Sequence, residues 1–149
     1  MVCALLTSVA PALSPALKVA YVASLATKLS DTFQSEIGKA FGKTTYLITT
    51  LQPVPRGTEG AVSLEGTLAG VAGSLLLVGI AAALGIIEGP AAVLSCVAAA
   101  VVATTAESFI GATFQDSVPW LTNELVNLIN TLIGAAVAAA FYCLAAPVV

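Results

Sequence analysis

The sequence contains no histidine and three cysteines, and no lysine or arginine follows Arg56 in its 149 residues. Charged residues make up 9% of the chain. Soluble globular domains carry roughly 25% charged residues, so this class is excluded. Cys3, Cys96 and Cys143 each stand alone in an apolar run, which excludes the usual zinc constellations of cysteine and histidine. We expect the three cysteines to be buried small apolar residues.

The sequence is rich in long uncharged runs. Apolar residues account for 58% of the chain, and the mean hydropathy is +1.02. Uncharged runs cover residues 1–17, 66–87 and 125–149, and a further apolar stretch covers 91–106. A helix of about 22 residues rises about 33 Å, enough to cross a hydrocarbon core of about 30 Å. Such runs must be helices in lipid, because the strands of a membrane barrel alternate polar and apolar residues.

The predicted fold is all-α, a polytopic membrane helix bundle that forms one transmembrane domain over residues 1–149. About four spans are expected, and the first is broken or kinked because Pro11 and Pro15 interrupt its apolar run. The helices are expected at about 15–38, 64–87, 90–111 and 122–146. A polar loop over 39–65, rich in glycine, proline and threonine, joins the first two of these helices.

The charges are distributed unevenly along the chain. Residues 1–56 contain all five basic groups, whereas 57–149 contain six of the eight acidic groups. Because lysine and arginine in short loops set the orientation of membrane proteins, the loop is expected to face the cytosol or the plastid stroma. The apolar start has no basic residue ahead of it and little arginine, so no targeting segment is visible.

Polar side chains recur at the loop ends of the predicted helices, which should meet at one membrane face. Spacing at about 100° per residue aligns the polar groups of the first helix into a stripe, and the asparagines of the last helix form another. Ionisable groups at membrane depth are costly unless they pair or line a wet cavity, so Asp31, Glu36 and Glu107 are the candidate catalytic residues. Structural ion pairing, such as Lys28 with Asp31, and hydrogen bonding between helices are the alternatives.

Carboxylates without histidine or thiolate partners suit Mg²⁺, and Asp31, Glu36 and Glu107 are its candidate ligands. Nearby cations and a glycine-rich backbone can bind anions, a combination that phosphoryl transfer requires, although no Walker motif is present. The candidate phosphate- and nucleotide-binding residues are Lys28, Ser35, Lys39, Lys43, Arg56, Gly57, Thr58, Glu59 and Gly60. The candidate pocket residues are Thr32, Ser108, Gln115, Asn123, Asn127 and Asn130.

Ordered motifs cover nearly the whole chain. They are Asp31-Thr32-x-x-Ser35-Glu36-Ile37-Gly38, Gly42-Lys43-Thr44, Leu47-Ile48-Thr49-Thr50, Val54-Pro55-Arg56-Gly57-Thr58-Glu59-Gly60, Ser63-x-x-Gly66-Thr67-Leu68-Ala69-Gly70, Glu107-Ser108-x-Ile110-Gly111-Ala112-Thr113-x-Gln115 and Asn123-Glu124-x-Val126-Asn127 with Asn130 following. Together they resemble an integral membrane family long catalogued as a domain of unknown function. Within it the resemblance is to the plastid phytyl-phosphate kinases of plants and algae, which make phytyl diphosphate for tocopherol (vitamin E) synthesis.

A looser similarity links the chain to dolichol kinase and phosphatidate cytidylyltransferase, which use CTP. It rests on Gly38-Lys39-x-x-Gly42-Lys43 and on the motif at 54–60. The resemblances imply a phosphoryl transfer from CTP, or another nucleoside triphosphate, to an isoprenyl monophosphate. The implied partners are the prenyl phosphate, the nucleotide and membrane lipid, with no nucleic acid, and a homo-oligomer is left open. The implied location is the chloroplast envelope.

The resemblance also implies further spans before the Asp31 helix and, for a plastid member, a transit peptide, so we expect the 149 residues to be part of a longer domain. Two other functions stay open at this point. One is cytidylyl transfer, or a kinase reaction on another lipid. The other is a non-catalytic transporter or assembly subunit, in which the acidic groups form a cation path.

Overall fold

The computed structural model describes residues 14–115 and 117–145. In this part of the chain the long helices are α1 (Ser14–Phe41), α2 (Leu64–Ala83), α3 (Gly89–Ile110) and α4 (Asn123–Ala145). The strands β1 (Tyr46–Leu47) and β2 (Ala61–Val62) belong to the loop between α1 and α2, and α3 continues as a π-helical turn over Gly111–Gln115. The predicted all-α bundle with one long polar loop is confirmed.

Three of the four helices are long and apolar enough to cross a membrane, namely α2, α3 with its π-helical turn, and α4. The more polar α1 has 28 residues and packs against all three of them. Pro15 lies in its first turn, where the missing N–H removes no hydrogen bond from the helix. The rest of the broken span predicted around Pro11 lies outside the described residues.

The apolar core lies in the half of the bundle nearest the connection between α2 and α3. Val19 and Val22 of α1 pack there with Val78 of α2 and Cys96 of α3. Large apolar side chains on the outer faces of α2, α3 and α4 are exposed, as expected for helices in contact with lipid. Cys96 is buried, as predicted, whereas Cys143 is exposed, so the prediction of burial is wrong for Cys143. Cys3 lies outside the described residues.

Small residues at four-residue spacing let α2 approach α1 closely. A Cβ atom at Gly66 would lie 2.6 Å from the carbonyl oxygen of Gln34, and one at Gly70 would lie 3.0 Å from that of Ser30. Contacts this short leave no room for a side chain, so this small-residue face of α2 is a helix-packing surface.

The loop closes on itself as a short antiparallel hairpin in which Tyr46 pairs with Val62. The amide of Ile48 donates to the carbonyl oxygen of Gly60 at 3.1 Å and extends this pairing. Immediately afterwards the Ser63 hydroxyl accepts from the amide of Gly66 at 3.1 Å and caps the N-terminus of α2. The hairpin therefore holds the polar loop against the bundle.

Candidate functional site

A polar cavity of about 280 Å³ opens at the end of the bundle where α1 and α3 end and α2 and α4 begin. Successive helices run in opposite directions, so these four helix ends share one face of the molecule. Ser63 and Asn123, at the N-termini of α2 and α4, both line the cavity. The positive ends of two helix dipoles therefore lie at the cavity and favour bound anions.

Most of the predicted site residues lie in the wall of this cavity. They are Lys28, Asp31, Thr32, Ser35, Glu36, Lys39, Gly57, Thr58, Glu59, Gly60, Glu107, Ser108, Gln115, Asn123 and Asn127. The structure brings together side chains that are up to about a hundred positions apart in sequence. Their assigned roles as ligands or catalytic groups stay predictions.

Lys28 joins α1 to α4 inside the cavity. Its Nζ atom donates to Oδ2 of Asp31 at 2.9 Å and to Oδ1 of Asn127 at 2.7 Å. The Asp31 side chain is only 19% exposed, so the ammonium group balances a carboxylate that has lost most of its water. The ion pair of Lys28 with Asp31, considered above as a structural alternative, is therefore present, and Asn127 orients the same ammonium group.

Glu107 enters the cavity from the last turn of α3, where its carboxyl group is a neighbour of that of Asp31. Nδ2 of Asn130 donates to Oε2 of Glu107 from α4. Asn130 is fully buried and lies outside the cavity wall, so it holds the carboxylate from behind. Among the described residues, Oδ1 of Asn130 and Oγ1 of Thr27 are buried without a hydrogen-bond partner.

Gly60 fixes the loop against α3. It has a φ of +71°, and a Cβ atom at this position would collide with Ala112 and lie 2.5 Å from the carbonyl oxygen of Ser108. Only glycine combines this backbone conformation with so close an approach. The backbone around Gly57, Thr58 and Gly60 is therefore held at the edge of the cavity.

Two of the predicted phosphate-binding cations lie outside the cavity wall. Lys43 is exposed just after the end of α1. Nη1 of Arg56 donates to the carbonyl oxygen of Ala40 at 3.4 Å, so the guanidinium group faces the C-terminus of α1. Helix C-termini carry unpaired carbonyl groups and partial negative charge, which attract cations. This corrects the expectation that both side chains face the same pocket as Asp31.

The three predicted metal ligands do not form one cluster. Asp31 and Glu36 are five residues apart on α1, so their directions differ by about 140°. The Glu36 side chain is 70% exposed and pairs with Lys39 at 3.9 Å. Within residues 14–115 and 117–145, no group of three or more acidic or cysteine side chains could hold a metal ion. Asp31 and Glu107 are thus the two carboxylates that converge.

Sequence reasoning missed several cavity residues, including Gln34, Thr45, Ser63, Gly111 and Val126. Gln34 follows Asp31 at helical spacing, a signal that could have identified it. Its Nε2 atom lies 3.5 Å from Oγ of Ser108. Gly111 begins the π-helical turn, and hydrophobic periodicity carries no signal for such a turn.

Residues 1–135 match the family described as "Integral membrane protein DUF92". The chain belongs to this family. It is 61% identical over 122 residues to the uncharacterized membrane protein sll0875 of a Synechocystis strain. It is 53% identical over 129 residues to the protein VTE6, chloroplastic, of Arabidopsis thaliana. It is 38% identical over 126 residues to the uncharacterized membrane protein MJ0933 of Methanocaldococcus jannaschii.

These alignments cover 82%, 85% and 84% of this chain, but 47%, 38% and 51% of the respective relatives. The chain therefore spans about half the length of these relatives, or less. No solved structure matches the chain. Family membership together with the three apolar helices establishes an integral membrane protein.

Proposed function

We propose that the protein transfers a phosphoryl group from a nucleoside triphosphate, with CTP the first candidate, to an isoprenyl monophosphate such as phytyl phosphate. The observation that carries this proposal is the cavity in which the Lys28, Asp31 and Asn127 side chains meet Glu107 at the end of the membrane helices. Lys28, two converging carboxylates and a glycine-bearing loop meet in this cavity, and its wall also carries Glu36, Lys39 and Glu59. Such a set suits the binding of polyphosphate together with a divalent cation.

Two features support a lipid phosphate as the acceptor. The cavity opens among helices that cross the membrane, so a hydrocarbon tail could remain in lipid while its phosphate enters the polar site. The N-termini of α2 and α4 add positive potential where that phosphate would lie. The likeness to the chloroplastic relative and the motif resemblance favour phytyl phosphate, and with it a role in tocopherol synthesis in the chloroplast envelope.

In the proposed reaction, an oxygen of the acceptor monophosphate forms a bond to the γ-phosphorus of the nucleotide. The bond between that phosphorus and the oxygen bridging to the β-phosphate breaks, and the nucleoside diphosphate leaves with the electron pair. The acceptor oxygen is already anionic, so no side chain has to remove a proton. Catalysis then consists of positioning and of balancing negative charge.

The donor set of the cavity fits Mg²⁺, which commonly takes one or two carboxylates from a protein and completes its coordination with substrate phosphates. Asp31 and Glu107 would hold it. When bound, the ion would neutralise charge on the polyphosphate. Lys28, oriented by Asp31 and Asn127, would offer its ammonium group to a bound phosphate.

The decisive experiment uses the whole protein in liposomes with phytyl monophosphate, Mg²⁺ and CTP labelled at either the α or the γ phosphate. Phosphoryl transfer places the γ label in phytyl diphosphate and leaves the α label in CDP. Transfer of the α label to lipid would replace the proposal with cytidylyl transfer. Absence of both products with phytyl, geranylgeranyl and farnesyl monophosphates, and with each common nucleoside triphosphate, would refute it.

A further inference from the structure

A second cavity of about 130 Å³ lies beside the polar one, between α2 and α3, and we name it the tail groove. Val71 of α2 and Val101 of α3 form its sides, and Ile48 and Val62 of the hairpin cover the end nearest the loop. The other lining residues are Ser30, Gln34, Thr67, Thr104 and Thr105. The surface that the groove presents is nevertheless mainly apolar, in contrast to the polar wall of the neighbouring cavity.

The side chain of Gln34 separates the two cavities, since it lines both. Its Nε2 atom donates to Oγ of Ser108 at 3.5 Å, which is the long limit for a hydrogen bond and indicates a weak one. A rotation of this unbranched amide side chain would join the tail groove to the polar cavity. The barrier between a phosphate-sized polar site and an apolar groove is therefore one adjustable side chain.

Two of the three threonines of the tail groove, Thr104 and Thr105, use their hydroxyl groups within α3. Oγ1 of Thr104 donates to the carbonyl oxygen of Ala100 at 2.9 Å, and Oγ1 of Thr105 donates to that of Val101 at 2.7 Å. Their hydroxyl hydrogens are thus used within α3. The mainly apolar surface of the groove therefore suits hydrocarbon.

The tail groove also opens towards lipid. Val101 and Thr105 are exposed on the outside of α3, a helix that crosses the membrane. The groove thereby connects the polar cavity, through Gln34, with the hydrocarbon region. This is the path that a lipid must follow if its phosphate reaches the cavity while its tail stays in the membrane.

We propose that the tail groove binds the first isoprene unit of the prenyl phosphate whose phosphate group occupies the polar cavity. This inference rests on the proposed function. A dry cavity of about 150 Å³ accommodates benzene, and an isoprene unit of five carbons is smaller, so one unit fits the groove. The rest of the tail lies in lipid. The protein therefore recognises the phosphate and the adjoining isoprene unit and is nearly indifferent to the length of the chain.

Binding is tested with geranyl monophosphate that carries a diazirine on its first isoprene unit, added to the whole protein in liposomes. Irradiation should label peptides that contain Val71 or Val101, and geranylgeranyl monophosphate should compete. A second probe with the diazirine at the far end of the tail should label these peptides at least about fivefold less. Labelling by the first probe that falls elsewhere, such as on the outer face of α4, would overturn the proposal.

Kinetic variants test the same groove from both sides. Val71→Trp on α2 and Thr105→Trp on α3 should each raise the KM for geranyl monophosphate at least about tenfold, because the indole occupies the space of the isoprene unit. The KM for the nucleotide should change less than about twofold. Leu68→Trp is the matched control, because Leu68 is exposed on α2 and lies outside both cavities. Two groove variants that fold but leave the lipid KM at the control value would overturn the proposal.

The binding and kinetic results separate this inference from the proposed function. Labelling of the tail groove without any prenyl diphosphate product would retain the groove and reject the kinase reaction. Product formation with labelling outside the groove would retain the kinase reaction and reject the groove.

Discussion

At the scale of single residues, the site depends on charges held at membrane depth by specific partners. Lys28 reaches Asp31 on its own helix and Asn127 on another, and Asn130 supports Glu107 from outside the cavity wall. Each carboxylate would be costly to bury alone. Together with their partners they form a polar cluster that can exist at the end of an apolar bundle.

Glu107→Gln should abolish most turnover without unfolding the protein. The glutamine keeps an oxygen that can accept from Nδ2 of Asn130, but it removes a negative charge from the cavity. We expect at least about a hundredfold loss in kcat, the loss typical when one electrostatic contact to a transition state is removed. Radiolabelled phosphoryl transfer measures the effect.

Glu88→Gln is the matched control for this change. Glu88 is exposed in the connection between α2 and α3, at the other end of the bundle from the cavity. The turnover of the Glu88→Gln variant should stay within about twofold of that of the parent protein, because solvent ions screen the Glu88 charge from a cavity at the other end of the bundle. Equal activity of the Glu107→Gln variant and the parent would remove Glu107 from the mechanism.

At the scale of secondary-structure elements, close backbone contacts decide how the loop and the helices meet. The tightest involve glycines, because the neighbouring backbone or side chain occupies the place of a Cβ atom. Gly60 places the loop on α3, and Gly134 of α4 lies against Thr27 of α1. Glycines of similar conformation but without such neighbours provide matched controls.

Gly60→Ala should displace the loop from α3, whereas Gly57→Ala should not. Both glycines have positive φ, at +71° and +84°, so both substitutions cost about 1 kcal/mol of backbone strain. A Cβ atom at Gly60 also collides with Ala112, but one at Gly57 has no neighbour within 4 Å. The kcat/KM for nucleotide should therefore fall at least about tenfold further for Gly60→Ala. Equal losses in the two variants would show that strain alone matters.

Gly134→Ala should push α4 away from α1 and lower the free energy of unfolding by about 1–3 kcal/mol, the usual cost of overpacking. The added methyl group would collide with Oγ1 of Thr27. Thr27→Ala in the same chain should restore part of the loss, a coupling that a double-mutant cycle measures. Gly79→Ala is the control, because a Cβ atom there has no neighbour within 4 Å. Thermal unfolding in detergent that is unchanged by Gly134→Ala would contradict the packing described here.

At the scale of the whole molecule, the antiparallel order of the helices gathers the polar groups at one end. The loop between α1 and α2 and the connection between α3 and α4 lie at that end, and the turn around Glu88 lies at the other. Basic residues occur in the loop at the cavity end, and the turn at 84–89 has none. By the positive-inside rule we predict that the cavity faces the compartment of insertion.

This orientation predicts opposite labelling of two cysteine variants, with the native cysteines replaced. A membrane-impermeant maleimide added to sealed vesicles that expose the insertion side should label Thr49→Cys and spare Glu88→Cys. Both positions are exposed in the structure, so detergent should make both reactive and control for accessibility. Labelling of both positions, or of Glu88→Cys alone, in sealed vesicles would contradict the predicted orientation.

The sequence by itself determined the helix bundle, its connections and most of the cavity wall. Uncharged runs that are long enough to cross the lipid bilayer must form helices, because only a helix satisfies its own backbone hydrogen bonds there. Since successive helices reverse direction, Asp31 and Glu107 come to the same end of the bundle. The small-residue face of α2 can also be identified from the sequence, because four-residue spacing places Gly66 and Gly70 on one side of the helix.

The tertiary structure alone decided which polar groups meet. Arg56 is adjacent to Gly57 in sequence, yet its side chain lies outside the cavity wall, because its guanidinium group donates to the carbonyl oxygen of Ala40 at the end of α1. Lys43 is exposed just after that helix end. Asn130 lies behind Glu107 rather than in the wall, and the tail groove depends on how α2, α3 and the hairpin pack. Periodicity fixes the direction of a side chain around its own helix, but the partner it meets depends on the rotation and spacing of the neighbouring helices.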